Sequence, residues 1–191
     1  KSAHAGRHFN EGINAIEGLI QLLNHLPQWK KNIPTATINS GELHGGTASN
    51  VVPGQAFCRI NARSFEPNDL VKLKTLITKN IDTIQQKNTA KLSLHIETIK
   101  KPKLFNKKTE SLFNQLKKCG EAHNICIDWE ESGGVSDGNF LSEAGLPTID
   151  NLGAKGSNIH TKNEYLTISS LEERINLTLS LLNYYNQNPK L

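Results

Sequence analysis

The chain has 191 residues, enough for one large or two small domains. Hydrophobic residues make up 36% and charged residues 21%, the balance of a soluble globular protein with a modest core. A net charge of +4 is too mild for a nucleic-acid binder. The lysines between Lys100 and Lys108 have only Phe105 among them as an aromatic platform, so that stretch reads as a solvated basic linker. No apolar run approaches the roughly 18 residues of a membrane span. Cys58, Cys119 and Cys126 are odd in number and lack CxxC spacing, which favours a reducing compartment and a cytoplasmic location. The chain opens at Lys1 without a start methionine or a signal peptide, and reads as one that has lost residues ahead of it.

Residues 1–5 read as the end of a strand cut off at its start. Asn10 is expected to cap a helix to about Leu26, with Ile13, Ile16, Leu19, Ile20, Leu23 and Leu26 as its stripe and Pro27 as its stop. Thr35 to Leu43 reads as a strand, and His44-Gly45-Gly46 as a turn. Gln55 to Arg63 alternates: Ala56, Cys58, Ile60 and Ala62 share one face, Phe57, Arg59, Asn61 and Arg63 the other. Pro67 opens a helix with Leu70, Leu73, Leu76, Ile77, Ile81 and Ile84 on one side. Lys91 to Ile99 alternates again, with Leu92, Leu94 and Ile96 inward. The order (β)αββαβ is that of a ferredoxin-like antiparallel sheet with two helices on one face.

Thr109 is expected to cap a helix to about His123, and Ile125 to Glu130 reads as a short strand. Ser136 or Asp137 caps a helix that Gly145 stops, and Leu146 to Leu152 is a buried strand. Ser170 and Glu173 form a capping box for a last helix carrying Leu171, Ile175, Leu179 and Leu182. The order αβαβα belongs to an α/β sheet, but two strands cannot make a parallel sheet alone, so further strands are expected from elsewhere.

Two glycine loops stand out, Ser132-Gly133-Gly134 and Gly153-Ala154-Lys155-Gly156, the second leading to His160. His160 reads either as a loop histidine bonded to backbone or as a metal ligand or acid–base group. The other histidines show no HxH, HxxxH or HExxH spacing; His25 and His123 suit helix ends, and His95 a solvated strand face. His4, in a small-residue turn, has room and exposure for a functional role, and equally suits a structural one. Arg63 reads as a surface charge or as a carboxylate clamp. Asn50 reads as a turn cap before Pro53 or as a substrate contact.

Four stretches in this order resemble one family: Ser2-Ala3-His4-Ala5-Gly6 with Gly12-Ile13-Asn14-Ala15-Ile16; Gly45 to Ala56 with Arg63; Gly133-Gly134 with Ser136-Asp137-Gly138; and Leu152-Gly153 with His160 to Tyr165. The chain resembles the carboxyl-terminal part of the dinuclear-zinc exopeptidases and deacylases, which include glutamate carboxypeptidase, acetylornithine deacetylase, succinyl-diaminopimelate desuccinylase and aminoacylase. The resemblance implies a ferredoxin-like dimerisation domain over residues 1–103 and the carboxyl-terminal segment of a catalytic α/β domain over 104–191. It implies that His160 is a zinc ligand, that His4 reaches the reacting centre of a partner subunit, and that Asn50, Arg63 and Gly134 contact substrate. Asp137 and Glu164 take capping or supporting roles.

The implied activity is hydrolysis of an amide bond beside a free carboxylate, in a peptide or N-acyl amino acid, by a homodimer with two zincs per site. Two zincs activate a water, a glutamate takes its proton, and a zinc and His4 of the partner stabilise the oxyanion. The family's HxD motif, bridging aspartate and glutamate pair have no counterpart in these residues, so the isolated chain is expected to be inactive. The alternative is a non-catalytic dimerisation module derived from the same family.

Overall fold

A computed structural model describes residues 1–87 and 90–189. The chain separates into two compact units, Lys1–Pro102 and Lys103–Leu191.

In the first unit, β1 (Ala3–His4) pairs antiparallel with β3 (Val51–Val52), and β2 (Thr37–Gly45) with β4 (Ala56–Arg63). The alternation along β4 is realised: Ala56, Cys58, Ile60 and Ala62 turn partly inward while Phe57, Arg59, Asn61 and Arg63 are exposed. A bulge between Ser40 and Glu42 shifts the β2–β4 register. Helices α1 (Ala15–Leu23), α2 (Leu26–Asn32) and α3 (Asp69–Lys87) supply most of the core, where Leu22, Trp29, Ile33, Leu73, Ile77, Ile81 and Ile84 meet Ile38 of β2. Those α3 residues recur at helical spacing, which lays one apolar stripe against the sheet.

Several boundaries differ from the sequence expectation. Asn14, not Asn10, caps α1: its side-chain oxygen accepts from the Ile16 and Glu17 amides at 3.0 and 3.3 Å, and its amide returns a bond to Glu17 at 2.8 Å. Asn10 falls in a 3₁₀ turn, Phe9–Glu11. Pro27 does not stop a helix; it sits in the first turn of α2, where an N–H would lack a partner anyway. The expected turn at Gly45 is strand, and the chain bends at Gly46, whose φ of +75° suits glycine. Residues 91–99 carry no strand assignment. Leu92 packs on the core, but Leu94 and Ile96 are exposed.

In the second unit, α4 (Lys107–Glu121) packs on α6 (Ser169–Gln187) around Leu116, Cys119 and Leu177, with Ile125, Ile127, Ile149 and Leu152 against them. Asn106 rather than Thr109 caps α4, accepting from the Lys108 and Thr109 amides at 3.0 Å each; Thr109 is itself buried. His123 bonds Ser180 at 2.6 Å, the structural role expected of it. Helix α5 (Gly138–Glu143) ends where expected, at Gly145 with φ +90°. Ser170 forms no capping box. Its hydroxyl donates to the Thr167 carbonyl at 2.6 Å and accepts the Lys155 amide at 2.8 Å, while Glu173 pairs with the Lys155 ammonium at 2.8 Å. Ile125 and Ile127 of segment 125–130, and Ile149 and Leu152 of segment 146–152, face the helices, whereas Trp129 and Leu146 are exposed, and neither segment is assigned as strand. Short parallel strands need neighbours on their edges, and two such segments do not supply them. The ladder assigned in this unit is a hairpin, β5 (Gly156–Ser157) with β6 (Tyr165–Leu166).

Candidate functional site

The first unit brings His4 and Asn50 together. His4 stands opposite Val51, and the next amide, Ala5, donates to the Asn50 carbonyl at 2.9 Å. Both residues are exposed. Nδ1 of His4 accepts the Gly6 amide at 3.0 Å, so the neutral ring carries its proton on Nε2, the nitrogen turned away from the backbone. Beside them lies a shallow groove of about 540 Å³ lined by Phe9, Ile16, Gly46, Ser49 and Val51, among others.

Arg63 is not part of that cluster. It ends β4, exposed, its Nε donating to Asn61 at 2.9 Å. At roughly 3.3 Å per residue, β4 runs about 23 Å from Ala56, near β3, to Arg63. The same outward face of the sheet holds Arg59, which pairs with Glu42 at 2.7 Å and Glu97 at 3.2 Å. Arg59 holds the Glu42 carboxyl below its ordinary range.

In the second unit, His160 sits on the hairpin loop between β5 and β6, exposed, with φ +66°. Asn158 in the same loop has φ +59°. Left-handed backbone at non-glycine residues costs on the order of 1–3 kcal/mol and persists where neighbours enforce it. Here the enforcing bonds are visible. The His160 amide donates to the Glu164 carboxylate at 3.1 Å, the Thr161 hydroxyl donates to the Asn158 carbonyl at 2.8 Å, and the Asn158 side chain donates to the Asn163 carbonyl at 3.2 Å. Glu164 is thus a support for the loop.

Gly134 lies on the other glycine loop, exposed, its amide donating to the Ser132 hydroxyl at 3.1 Å. The loop is anchored at Ser136, whose hydroxyl donates to Asp150 at 2.8 Å and accepts the Gly138 amide at 3.0 Å. Asp150 also pairs with Lys103. Sequence reading missed Asp150; the available signal was an acid near the end of the apolar run 146–152.

Among the described residues, no three His, Cys, Asp or Glu side chains form a group able to hold a metal ion. A zinc site takes three or four protein ligands. His160 by itself does not meet that requirement, so the donor set described does not fit a metal centre.

Residues 1–101 match the peptidase dimerisation domain of the M20 peptidases. The chain belongs to the M20 family. Curated M20 relatives include peptidase T of Streptococcus agalactiae, 27% identical over 185 residues, and the succinyl-diaminopimelate desuccinylase of Psychromonas ingrahamii, 29% identical over 171 residues. The alignments take in 95% and 86% of the chain but 45% and 44% of those proteins. The chain therefore spans about half the length of the curated relatives it matches. A crystal structure of a Staphylococcus aureus tripeptidase superposes with a TM-score of 0.74 at 24% identity, over 95% of this chain and 48% of that one. The Bacillus subtilis YxeP protein, described as a dinuclear metal-binding M20 peptidase, superposes at 0.60 with 18% identity, over 88% of this chain and 45% of that one. These likenesses bear out the mixed α/β fold, an M20 dimerisation domain joined to a carboxyl-terminal α/β segment. No helix among the described residues is long and apolar enough to cross a membrane.

Proposed function

We propose that this M20 chain is part of a cytoplasmic zinc-dependent hydrolase, a carboxypeptidase or N-acyl amino acid deacylase, that cleaves an amide bond beside a free carboxylate. The observation that carries the reading is the reach of the likeness. Peptidase T and a desuccinylase align through both units, not through the dimerisation domain alone. Lys1–Pro102 forms a homodimer, and Lys103–Leu191 is the carboxyl-terminal segment of the catalytic domain.

His160 contributes one ligand to a metal centre whose other ligands come from outside these residues. Its left-handed loop, braced by Glu164, is the kind of strained backbone that gathers at functional sites. Arg63, a planar donor fork on an exposed strand end, holds the substrate carboxylate. His4 and Asn50, joined through the β1–β3 ladder, act on the partner subunit's substrate, and the Gly134 loop lines the pocket. The geometry within one subunit agrees with this division, because Arg63 stands well away from His4.

A second reading is a dimerisation module without catalysis, which the match of residues 1–101 to the peptidase dimerisation domain also suits. Turnover of N-acyl amino acids and short peptides by the full-length gene product separates the two. The hydrolase reading expects turnover that His160→Ala abolishes, and mixed dimers in which His4→Ala in one subunit silences the other subunit's site. Normal turnover by His160→Ala would remove the ligand assignment. A full-length protein with neither metal nor turnover on these substrates would leave the interaction module.

A further inference from the structure

The Gly133–Gly134 loop stands clear of the fold, whereas the polar groups at its carboxyl end are tightly packed. A Cβ added to Gly133 would meet nothing within 4 Å, and the Gly134 amide bonds inside the loop, to Ser132. Two residues on, Ser136 is held by backbone and side chain alike. Its amide donates to the Asn139 side-chain oxygen at 3.0 Å, and its carbonyl accepts the Asn139 amide at 3.3 Å. Asn139 is 5% exposed. Gly138 is so closely enclosed that a Cβ there would lie 2.7 Å from Asp150 Oδ1 and 2.9 Å from Thr148 Cγ2. The loop therefore projects from a fixed point, and the geometry of that point decides where the loop's backbone amides stand.

One carboxylate oxygen ties this point to a charge. Asp150 Oδ2 accepts both the Ser136 hydroxyl, at 2.8 Å, and the Lys103 ammonium. The Lys103 and Asp150 side chains are only 21% and 28% exposed, so the pair is shielded from the screening that weakens surface ion pairs. Without its cation, Asp150 would be a partly buried charge short of a partner, and it would turn toward water. Ser136 would then lose the acceptor that orients its hydroxyl, and with it the bond from the Gly138 amide at 3.0 Å. The links run from Lys103 to Asp150, from Asp150 to Ser136, and along the backbone from Ser136 to Gly134.

We propose that Lys103 is a positioning residue for the Gly133–Gly134 loop: paired with Asp150, it holds Ser136 in the orientation that aims the loop's backbone. The effect on substrate rests on the reading in which the Gly134 loop lines the pocket. The effect on the loop itself does not.

Amide NMR on the 191-residue chain tests the effect on the loop. Lys103→Met keeps most of the side chain's length without its charge. In that variant the Gly133 and Gly134 resonances should shift and their backbone order parameters fall below wild type, to about 0.6 or less. Amides around Leu116 and Leu177 should keep their exchange rates within about twofold. Lys103→Arg should restore both loop signals. Adding Lys103→Met to Ser136→Ala should disturb the loop no more than Ser136→Ala alone, because residues acting through one chain of contacts are not additive. If Lys103→Met does not fold, Asp150→Asn gives the same readout, since it removes the charge but keeps an acceptor for the hydroxyl. Unmoved loop signals, a general loss of protection through α4 and α6, or a double variant more disordered than Ser136→Ala each overturn the proposal. In the full-length protein, Lys103→Met should raise KM about fivefold or more with kcat within about twofold, and Lys103→Arg should recover KM. A disordered loop with unchanged KM would uphold the positioning role and remove Gly134 from the pocket.

Discussion

His4 and Asn50 meet at one end of the β1–β3 ladder, where the amide after His4 donates to the Asn50 carbonyl at 2.9 Å. A two-residue ladder is a slender support, and the Ala5 amide adds a backbone bond just beyond its end. Ala5→Pro removes that N–H and leaves the Asn50 carbonyl without it. In the full-length protein we expect a fall in kcat/KM of about tenfold, the scale of roughly 1.4 kcal/mol of positioning energy. The melting temperature should move little, because both residues are exposed. A variant that kept full turnover would show that the His4–Asn50 register is not used.

The first unit rests on one buried aromatic. Trp29 is 1% exposed, and its indole N–H donates to the Asn80 side-chain oxygen on α3 at 2.8 Å. Trp29→Phe keeps most of the volume but strands the Asn80 acceptor, a cost of about 1–3 kcal/mol. Trp29→Ala opens a cavity as well and should cost about 3–5 kcal/mol. Urea unfolding checks both. If stranding the acceptor dominates, Asn80→Leu added to Trp29→Phe should recover part of the loss.

Asp69, at the first turn of α3, is buried and accepts from the Thr35 hydroxyl at 2.6 Å, the Ser64 hydroxyl at 2.7 Å and the Lys72 ammonium at 3.2 Å. These bonds, the Thr35 bond first among them, hold its carboxyl below the ordinary range. A depressed carboxyl pKa stabilises the fold above its unfolded-state value, about 3.9. The stabilisation is lost as pH falls through the lower folded-state value. Asp69→Asn should therefore lower the urea midpoint at pH 7, with the gap to wild type closing below about pH 4. A gap of constant size from pH 7 to pH 3 would mean that packing, not charge, carries the effect.

The periodic parts of this fold were legible in the residues. The α3 stripe and the in–out alternation of β4 follow directly from helical and strand spacing. Local capping was read less well, because Asn10 and Asn14, or Asn106 and Thr109, are chemically equivalent candidates whose tertiary surroundings choose between them. The apolar segments at 91–99, 125–130 and 146–152 show the limit of periodicity. Alternation marks a segment able to be a strand, but a ladder needs a partner edge, which local sequence does not specify. At the site, the two glycine loops and His160 were recognisable. The Glu164 brace was expected only as a support, and the Asp150 anchor depends on a contact across the fold.

The second unit's helices offer a contrast between two leucines on different faces of α6. Leu177 is fully buried against Leu116 of α4, whereas Leu179 is 51% exposed. Leu177→Ala should cost about 2–5 kcal/mol and lower the thermal midpoint of this unit. Leu179→Ala in the same chain should stay within about 0.5 kcal/mol of wild type. Comparable losses from both would mean that the exposed side of α6 is covered in solution.

The His160 loop separates backbone strain from side-chain chemistry. Glycine adopts φ +66° without a Cβ penalty, while alanine retains the penalty without the imidazole. We expect His160→Gly to melt at or above the wild-type temperature and His160→Ala below the glycine variant. In the full-length protein both should lose at least about 100-fold in turnover, beyond what loss of an outer-shell partner costs. Glu164→Ala removes only the brace at the His160 amide and should lower turnover less than either, with Glu164→Gln, which keeps an acceptor oxygen, restoring part of it. Equal turnover in wild type and His160→Gly would mean that the loop's conformation, and not its histidine, is what the protein uses.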